Sequence, residues 1–295
     1  MRDFVEMAMS KSPYWAMEQQ NFATVLTVLQ RQNGSDEYVD MMKTLQDRYA
    51  QMQAQYSGVM LEGASNTYML GNIAVIPVIG SLMPRADMFT EISGATSVKK
   101  LQADFELALD SPDVAGILFD HDSPGGAVTG IANFASKIYT NRNKKPMMAY
   151  ASGDMCSASY WLGAAVGNSK QKCIYASATS RIGSIGVVST YTDMTRAEEN
   201  AGVKRYEIVS TGSERKRLSP DTSEGMEAIT DQLNAVYGEF VNAVSRYRGV
   251  SQQTVKDDFG RGGVFVGKQA VAAGLVDGVA TFDEVVNIFS SNFIG

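Results

Sequence analysis

From about residue 71 onward, short continuous apolar runs alternate with stretches whose apolar positions recur every three or four residues. The run Ile73-Ala74-Val75-Ile76-Pro77-Val78-Ile79 predicts a strand ended by Gly80. Val114-Ala115-Gly116-Ile117-Leu118-Phe119-Asp120 predicts another, of the kind buried on both faces of a parallel sheet. Pro146 to Tyr150 and Lys172 to Tyr175 give two more. Leu101, Phe105 and Leu109 mark a helix closed by Ser111-Pro112-Asp113, and further helices are expected over residues 127–141 and 157–167. Strands alternating with helices predict crossover units around a parallel sheet, an α/β fold.

Residues 1–70 have a different texture, rich in Met, Gln and Tyr and poor in Gly. Phe22, Val25, Leu26 and Leu29 recur at helical spacing, as do Tyr38, Met41, Met42, Leu45 and Tyr49. Asn33-Gly34-Ser35-Asp36 separates the two runs, with Ser35 or Asp36 placed to cap the second helix. The expectation is a helical arm, packed on the parent domain or on a neighbouring subunit, with residues 58–66 as a linker. The division is therefore an arm and linker over 1–70 and a main domain over 71–290.

Composition narrows the function. Hydrophobic residues at 44% are enough for a packed core. With 26 basic and 32 acidic side chains the net charge is −6, which provides no footprint for nucleic acid. The local cluster Arg215-Lys216-Arg217 reads as a solvated turn. Cys156 and Cys173, the two cysteines, make no disulfide framework and fit a reducing compartment. No stretch approaches the roughly 18–20 apolar residues that span a bilayer. The amino end, Met1-Arg2-Asp3-Phe4-Val5-Glu6, carries acid where a secretory signal carries base. A soluble, cytoplasmic protein without membrane partners is expected.

Three glycine- and serine-bearing turns follow predicted strands, where open α/β sheets place their sites. The first is Asp122-Ser123-Pro124-Gly125-Gly126, whose glycines let backbone N–H groups face a ligand. The second, Ala151 to Trp161, leads through Ser157-Ala158-Ser159-Tyr160 into a helix, setting a side chain at a helix start where partial positive charge favours an oxyanion. The third is Gly183-Ser184-Ile185-Gly186-Val187. Asp120 and Asp122 read as solvated turn carboxylates, not as a metal site, and Cys156 as a small buried residue.

The order and spacing of these turns resemble the signal peptide peptidase A, or protease IV, family of serine peptidases: SPGG, a Ser-small-small-Tyr turn, then GSIGV. Gly260-Arg261, Gly267, Ala270 and Gly274-Leu275-Val276-Asp277 match the family's closing pattern, so that the resemblance covers about residues 71–285. Pro13-Tyr14-Trp15-Ala16 and Ile92 to Ser97 look like the phage branch, the head-assembly (prohead) proteases. The resemblance implies a ClpP- and crotonase-like fold, Ser157 as nucleophile, Gly125, Gly126 and Ala158 as oxyanion hole, and Ser184 orienting a catalytic lysine. It implies no metal or organic cofactor, a homo-oligomer, and scaffold, capsid or portal proteins as substrates, in the host cytoplasm or the prohead. The alternatives are a bacterial peptide-degrading enzyme and an inactive assembly protein.

The base is the open question. A serine hydroxyl needs a neighbour to take its proton. The chain's one histidine, His121, precedes Ser157, so the ClpP order of serine followed by histidine is not available. A lysine serves if burial lowers its pKa from about 10.4 toward about 7–8. In Gly212-Ser213-Glu214-Arg215-Lys216-Arg217-Leu218-Ser219-Pro220, ungapped alignment with the family puts Arg215 at the lysine position, and arginine stays protonated. Lys216 comes one residue later. In an extended segment it would point opposite to Arg215 and Arg217, toward Ser157. Lys216 is the expected base and Lys204 the second candidate.

Overall fold

All seven residues of Ile73–Ile79 are buried, as a continuous apolar run requires of a strand covered on both faces. In the computed structural model, which describes residues 15–17, 59–85, 95–167, 171–191, 193–204 and 206–294, this strand (β4) pairs in parallel with β7, Gly116–Ser123, in register from Ile73 opposite Gly116 to Ile79 opposite Asp122. Before it come β1 (Trp15–Met17), β2 (Val59–Met60) and β3 (Tyr68–Leu70). After it come β5 (Leu82–Met83) and β6 (Thr96–Ser97). β8 (Gly125–Ala127), β9 (Met147–Cys156), β10 (Ile174–Ala176) and β11 (Arg181–Gly183) follow β7, and β12 (Val264–Val266) and β13 (Gly278–Val279) close the series.

The main sheet runs β12-β11-β9-β7-β4-β3-β2, with β10 and β13 joined beside β9. Its centre, β11-β9-β7-β4, is parallel, and antiparallel strands β12 and β3-β2 finish the two ends. A second, small sheet runs β1-β8-β5-β6. The expected parallel-sheet α/β class holds.

Helices α1 (Val98–Asp110), α2 (Ile131–Asn141) and α3 (Ala158–Ala164) supply the crossovers. Farther on lie α4 (Thr195–Asn200), α5 (Ser223–Arg248), α6 (Gln252–Asp257), α7 (Lys268–Ala273) and α8 (Phe282–Phe289). Local chemistry sets several of their ends. Ser97 caps α1 by accepting from the Lys100 N–H, Thr222 caps α5 through Gly225, and Thr281 with Glu284 forms a reciprocal capping box on α8. Phe105 packs against Phe119 and Phe134 with ring centroids 5.9 and 5.8 Å apart, joining α1, β7 and α2 in the core. Trp161 of α3 stacks on Phe240 of α5 at 4.3 Å, so the long helix seals the one that begins after Ser157.

Several boundaries differ from the sequence reading. The helix expected over 127–141 starts at Ile131, because Gly125–Ala127 is a strand and Gly130 takes a φ of 89°. The strand expected to end at Tyr150 continues to Cys156. Residues 58–66, read as a linker, include β2 and the turn that pairs it with β3 on the sheet edge. There Asp104 of α1 accepts hydrogen bonds from the N–H groups of Ser65 and Asn66 and from the Thr67 hydroxyl. The two amphipathic helices expected within the first 70 residues lie outside the described residues.

The Gly274-Leu275-Val276-Asp277 turn closes the fold with a largely buried ion pair. Arg248 Nη2 stands 2.6 Å from Asp277 Oδ1 and 2.9 Å from the Gly274 carbonyl. Asp277 Oδ2 accepts from the N–H groups of Cys173 and Ile174, both at 2.9 Å. Side-chain exposures of 10% and 16% mean that removing one partner strands the other charge away from water. Asp277→Ala is therefore expected to destabilise the protein by about 3 kcal/mol, measured as a lowered urea midpoint; a midpoint equal to wild type would contradict this role.

Candidate active site

Ser157 occupies a turn between β9 and α3 with φ 55° and ψ −119°, a backbone region costly for a residue with a Cβ. Two neighbouring features hold it there. Its N–H donates to the Gly183 carbonyl at 2.7 Å, and its carbonyl accepts from the Trp161 N–H at 2.9 Å. Its residue exposure is 1%, and Oγ has no hydrogen-bond partner. A buried hydroxyl is usually satisfied. No side chain caps α3, which leaves the first N–H groups of that helix, beginning with Ala158, without a capping acceptor.

The approach to this turn is shaped by an irregularity between β7 and β9. His121 pairs with Ala151 and Ser123 pairs with Met155, so Asp122 alone faces Ser152, Gly153 and Asp154. The extra residues bend β9 just before Ser157. The Asp122 carboxylate accepts from the Asp154 N–H at 3.2 Å, and a Cβ on Gly153 would stand 2.1 Å from Asp122 Oδ1. Asp154 in turn binds Arg181 of β11 through two hydrogen bonds, at 3.0 and 2.5 Å. β11 pairs with the end of β9, Gly183 opposite Cys156, which sets Ser184 one position on, alongside Ser157. Ser184 also has a positive φ, 54°, and its N–H donates to the Gly263 carbonyl at 2.7 Å.

The glycine strand β8 packs against α3. Gly126 pairs with Leu82 of β5, and the fit admits no side chain: a Cβ would lie 2.1 Å from the Leu82 carbonyl oxygen. Gly125 has φ 100°, and its N–H donates to Ser123 Oγ at 3.2 Å. Ser123 Oγ donates to the Gly80 carbonyl at 2.6 Å, so this serine builds the turn. Ser157, Ser184, Ala158 and the two glycines thus come from neighbouring elements, β9–α3, β11 and β8.

Lys216 is placed otherwise. The segment whose extension would aim Lys216 at Ser157 instead forms a one-turn 3-10 helix, Glu214–Arg217, in which Arg215, Lys216 and Arg217 are all exposed. Arg215 and Arg217 face Glu224 and Glu207 at 3.9 Å. Alternation of side chains, the reason for aiming Lys216 alone at Ser157, does not apply to this turn. Lys204 is exposed too, with Nζ 5.3 Å from the centre of the Tyr206 ring. Within this chain neither amine hydrogen-bonds the Ser157 hydroxyl.

The remaining expected positions are accounted for. Cys156 is buried, with Sγ 3.3 Å from the Arg181 carbonyl. Asp120, read as a solvated turn carboxylate, is instead buried inside β7, and Asp122 is half-buried at the bend of β9. Among the described residues no cluster of His, Cys, Asp and Glu is suited to hold a metal, and no helix is long and apolar enough to cross a membrane. Sequence reasoning missed Asp122, Gly153, Asp154 and Arg181 as shapers of the turn. Gly153 offered a signal as a glycine shortly before the serine; the Asp154–Arg181 pair, far apart in the chain, offered none.

The sequence profile of peptidase family S49 matches residues 139–292. The chain is 31% identical over 228 residues to capsid assembly protease C of Escherichia phage lambda, covering 76% of this chain and 50% of that protein. It is 28% identical to head-tail preconnector protein GP5 of Enterobacteria phage P21, covering 82% and 50%. It is 29% identical to Protease 4 of Salmonella typhi, covering 73% and 34%. The chain spans about half the length of the two phage relatives.

The chain's one histidine gives the site a built-in reporter. His121 is fully buried, Nδ1 lies 2.8 Å from Ser159 Oγ, and Nε2 has no partner. Burial holds its pKa down to about 3. The unfolded chain's histidine takes up a proton near its ordinary value, about 6.5, while the folded one stays neutral. Stability is thus fully present above that value and falls as pH drops below it, by at most about 1.4 kcal/mol per pH unit. Urea unfolding between about pH 6.5 and about pH 5 should show this slope, and His121→Gln should largely remove it. A ring proton signal titrating near the ordinary histidine value in folded protein would refute it.

Proposed function

The chain belongs to peptidase family S49, and we propose that it is a serine endopeptidase with Ser157 as nucleophile and Lys216 as base. One observation carries this reading: a buried hydroxyl without a partner, on a strained turn, at an uncapped helix start beside a strand of glycines. A strained backbone and an unsatisfied polar atom are costs that a structural serine has no reason to bear. A nucleophile does, because its lone pair must be left for substrate.

In the proposed cycle Ser157 Oγ bonds to the peptide carbonyl carbon as its proton passes to the Lys216 amine. The carbonyl oxygen, now negative, is held by N–H groups of Gly126 and Ala158, with Gly125 shaping the strand. The C–N bond breaks as the lysine returns the proton to the leaving amine. Water then attacks the acyl ester by the same route and frees the serine. Ser184, beside Ser157, is suited to accept a hydrogen bond from the lysine and fix its direction. No metal or organic cofactor enters the scheme.

The exposed position of Lys216 makes a second copy of the chain its natural route to Ser157. Tyr206, Ile208 and Val209 lie on the same exposed segment, with Ile208 95% exposed. Apolar side chains of this kind are suited to burial between copies, and an ammonium losing water there gives up its proton more readily. The names of the phage relatives favour head proteins as substrates: scaffold, capsid or portal chains trimmed during assembly. A peptide-degrading bacterial enzyme would use the same chemistry, and is favoured if these proteins go uncleaved while unfolded peptides are cut.

The test is direct. Co-expression with head proteins encoded by neighbouring genes should yield trimmed products, and Ser157→Ala should abolish them. Lys216→Ala should lower trimming by at least about a hundredfold, in the range of general-base catalysis. Mixing Ser157→Ala with Lys216→Ala chains should restore part of the activity, since one copy then contributes the serine and the other the lysine. Failure of a fluorophosphonate to label Ser157 in wild type, together with untrimmed products, would favour the assembly-protein reading instead.

A further inference from the structure

The small sheet contains a strand whose place bears on regulation. In the order β1-β8-β5-β6, the glycine strand β8 has β5 on one edge and β1 on the other. Trp15–Met17 runs antiparallel to Gly125–Ala127, with Trp15 opposite Ala127, Ala16 opposite Gly126 and Met17 opposite Gly125. The β5 edge is closed, with Leu82 in register with Gly126. An extended peptide that added to β8 by main-chain hydrogen bonds would have one edge left to use, and the chain's own residues 15–17 already occupy it.

We propose that Trp15–Met17 is an internal strap that covers the substrate edge of the glycine strand, so that the chain is held back until this segment is displaced. The inference rests on the reading of Ser157 and the glycines given above. β8 abuts α3, the helix that Ser157 begins, so a peptide bonded to β8 passes the hydroxyl, and β1 lies in that path. Two strands cannot share one edge. Substrate and strap therefore compete, and apparent affinity falls by the fraction of molecules in which the edge is free. The strap is short, three residues against three, which suits a contact that an incoming chain can displace.

The central pair, Ala16 opposite Gly126, is the place to break it. Ala16→Pro removes a backbone N–H and fixes φ, so the strand cannot form properly. Ala16→Val keeps the N–H and favours strand, and should leave the strap in place. In full-length chains two quantities are measured: amide exchange over the segment that carries Gly125–Ala127, in a Ser157→Ala background, and the rate of fluorophosphonate labelling of Ser157. With Ala16→Pro, both should rise by about tenfold, the share of two or so backbone hydrogen bonds, while Ala16→Val stays at the wild-type rates. Equal melting temperatures for the two variants would show that the core is intact.

Unchanged exchange in Ala16→Pro would overturn the strap. So would faster exchange with an unchanged labelling rate, since the edge would then be free without consequence for the serine. A lower melting temperature with exchange raised throughout the protein counts as overturning, because the effect would no longer be local. Absence of labelling in every variant would instead reject the peptidase reading itself, and the strap's role with it, whatever the exchange shows.

Discussion

The Ser157 N–H donated to the Gly183 carbonyl at 2.7 Å ties two strand ends together, and the geometry of the candidate site depends on it. It holds a serine at positive φ, where the chain would otherwise relax. It also brings the Gly183–Ser184 turn against the start of α3, so that two serines distant in sequence become neighbours. The bend of β9 at Ser152, Gly153 and Asp154 delivers Ser157 to this bond, and Asp122 and Arg181 keep the bend in shape. Strain of this sort persists where the surroundings over-determine it, and here the strand pairing, the carboxylate and the ion pair all act on six consecutive residues.

The motifs divide into those proposed to do chemistry and those that hold them in place. In the SPGG turn, Ser123 ties β7 to Gly80 and takes the N–H of Gly125, while Gly126 fits under Leu82 where no Cβ is tolerated. Tyr160, three residues after Ser157, donates its buried hydroxyl to the Leu275 carbonyl at 2.9 Å. That bond joins α3, the helix that begins after Ser157, to the Gly274–Asp277 turn, which Arg248 anchors from α5. Motifs more than a hundred residues apart are thus one mechanical unit, and a change in the closing turn acts on Ser157 through α3.

What could be read from the sequence follows the range of the interactions involved. β4 and β7 were legible because burial on both faces leaves an unbroken apolar run; the turn before α3 was legible locally, but Ser157 within it stood out only through the resemblance carried by the order of the three turns. The continuation of β9 past Tyr150 was not legible: Ser152, Gly153 and Asp154 are polar or small, and their place is fixed by Asp122 and Arg181 from other strands. The same holds for β1, which is three residues defined by its partner, Gly125–Ala127, over a hundred residues away. The Lys216 segment takes its shape for a local reason. Glu214 accepts from the Gly212 N–H, and the Lys216 N–H donates to the Ser213 carbonyl, tightening a turn that removes the alternation an extended segment would give.

A buried, unpartnered hydroxyl and an exposed lysine on one chain are hard to reconcile with an enzyme that works alone, and easy to reconcile with one that works only in company. A free hydroxyl without a neighbouring base is a poor nucleophile, so on the proposed reading an isolated copy would be harmless to the proteins around it. On the proposed reading, copies meeting through the exposed apolar segment around Ile208 would bring the base and strip its water in the same event. The proposed strap on β8 would add a second condition, since a substrate would also have to present an extended segment able to take the edge from residues 15–17. Each condition is weak by itself, being a few hydrogen bonds or a modest apolar contact, yet their effects multiply. Activity would then depend on the local concentration of both enzyme and substrate, the situation inside an assembling shell, without any dedicated inhibitor.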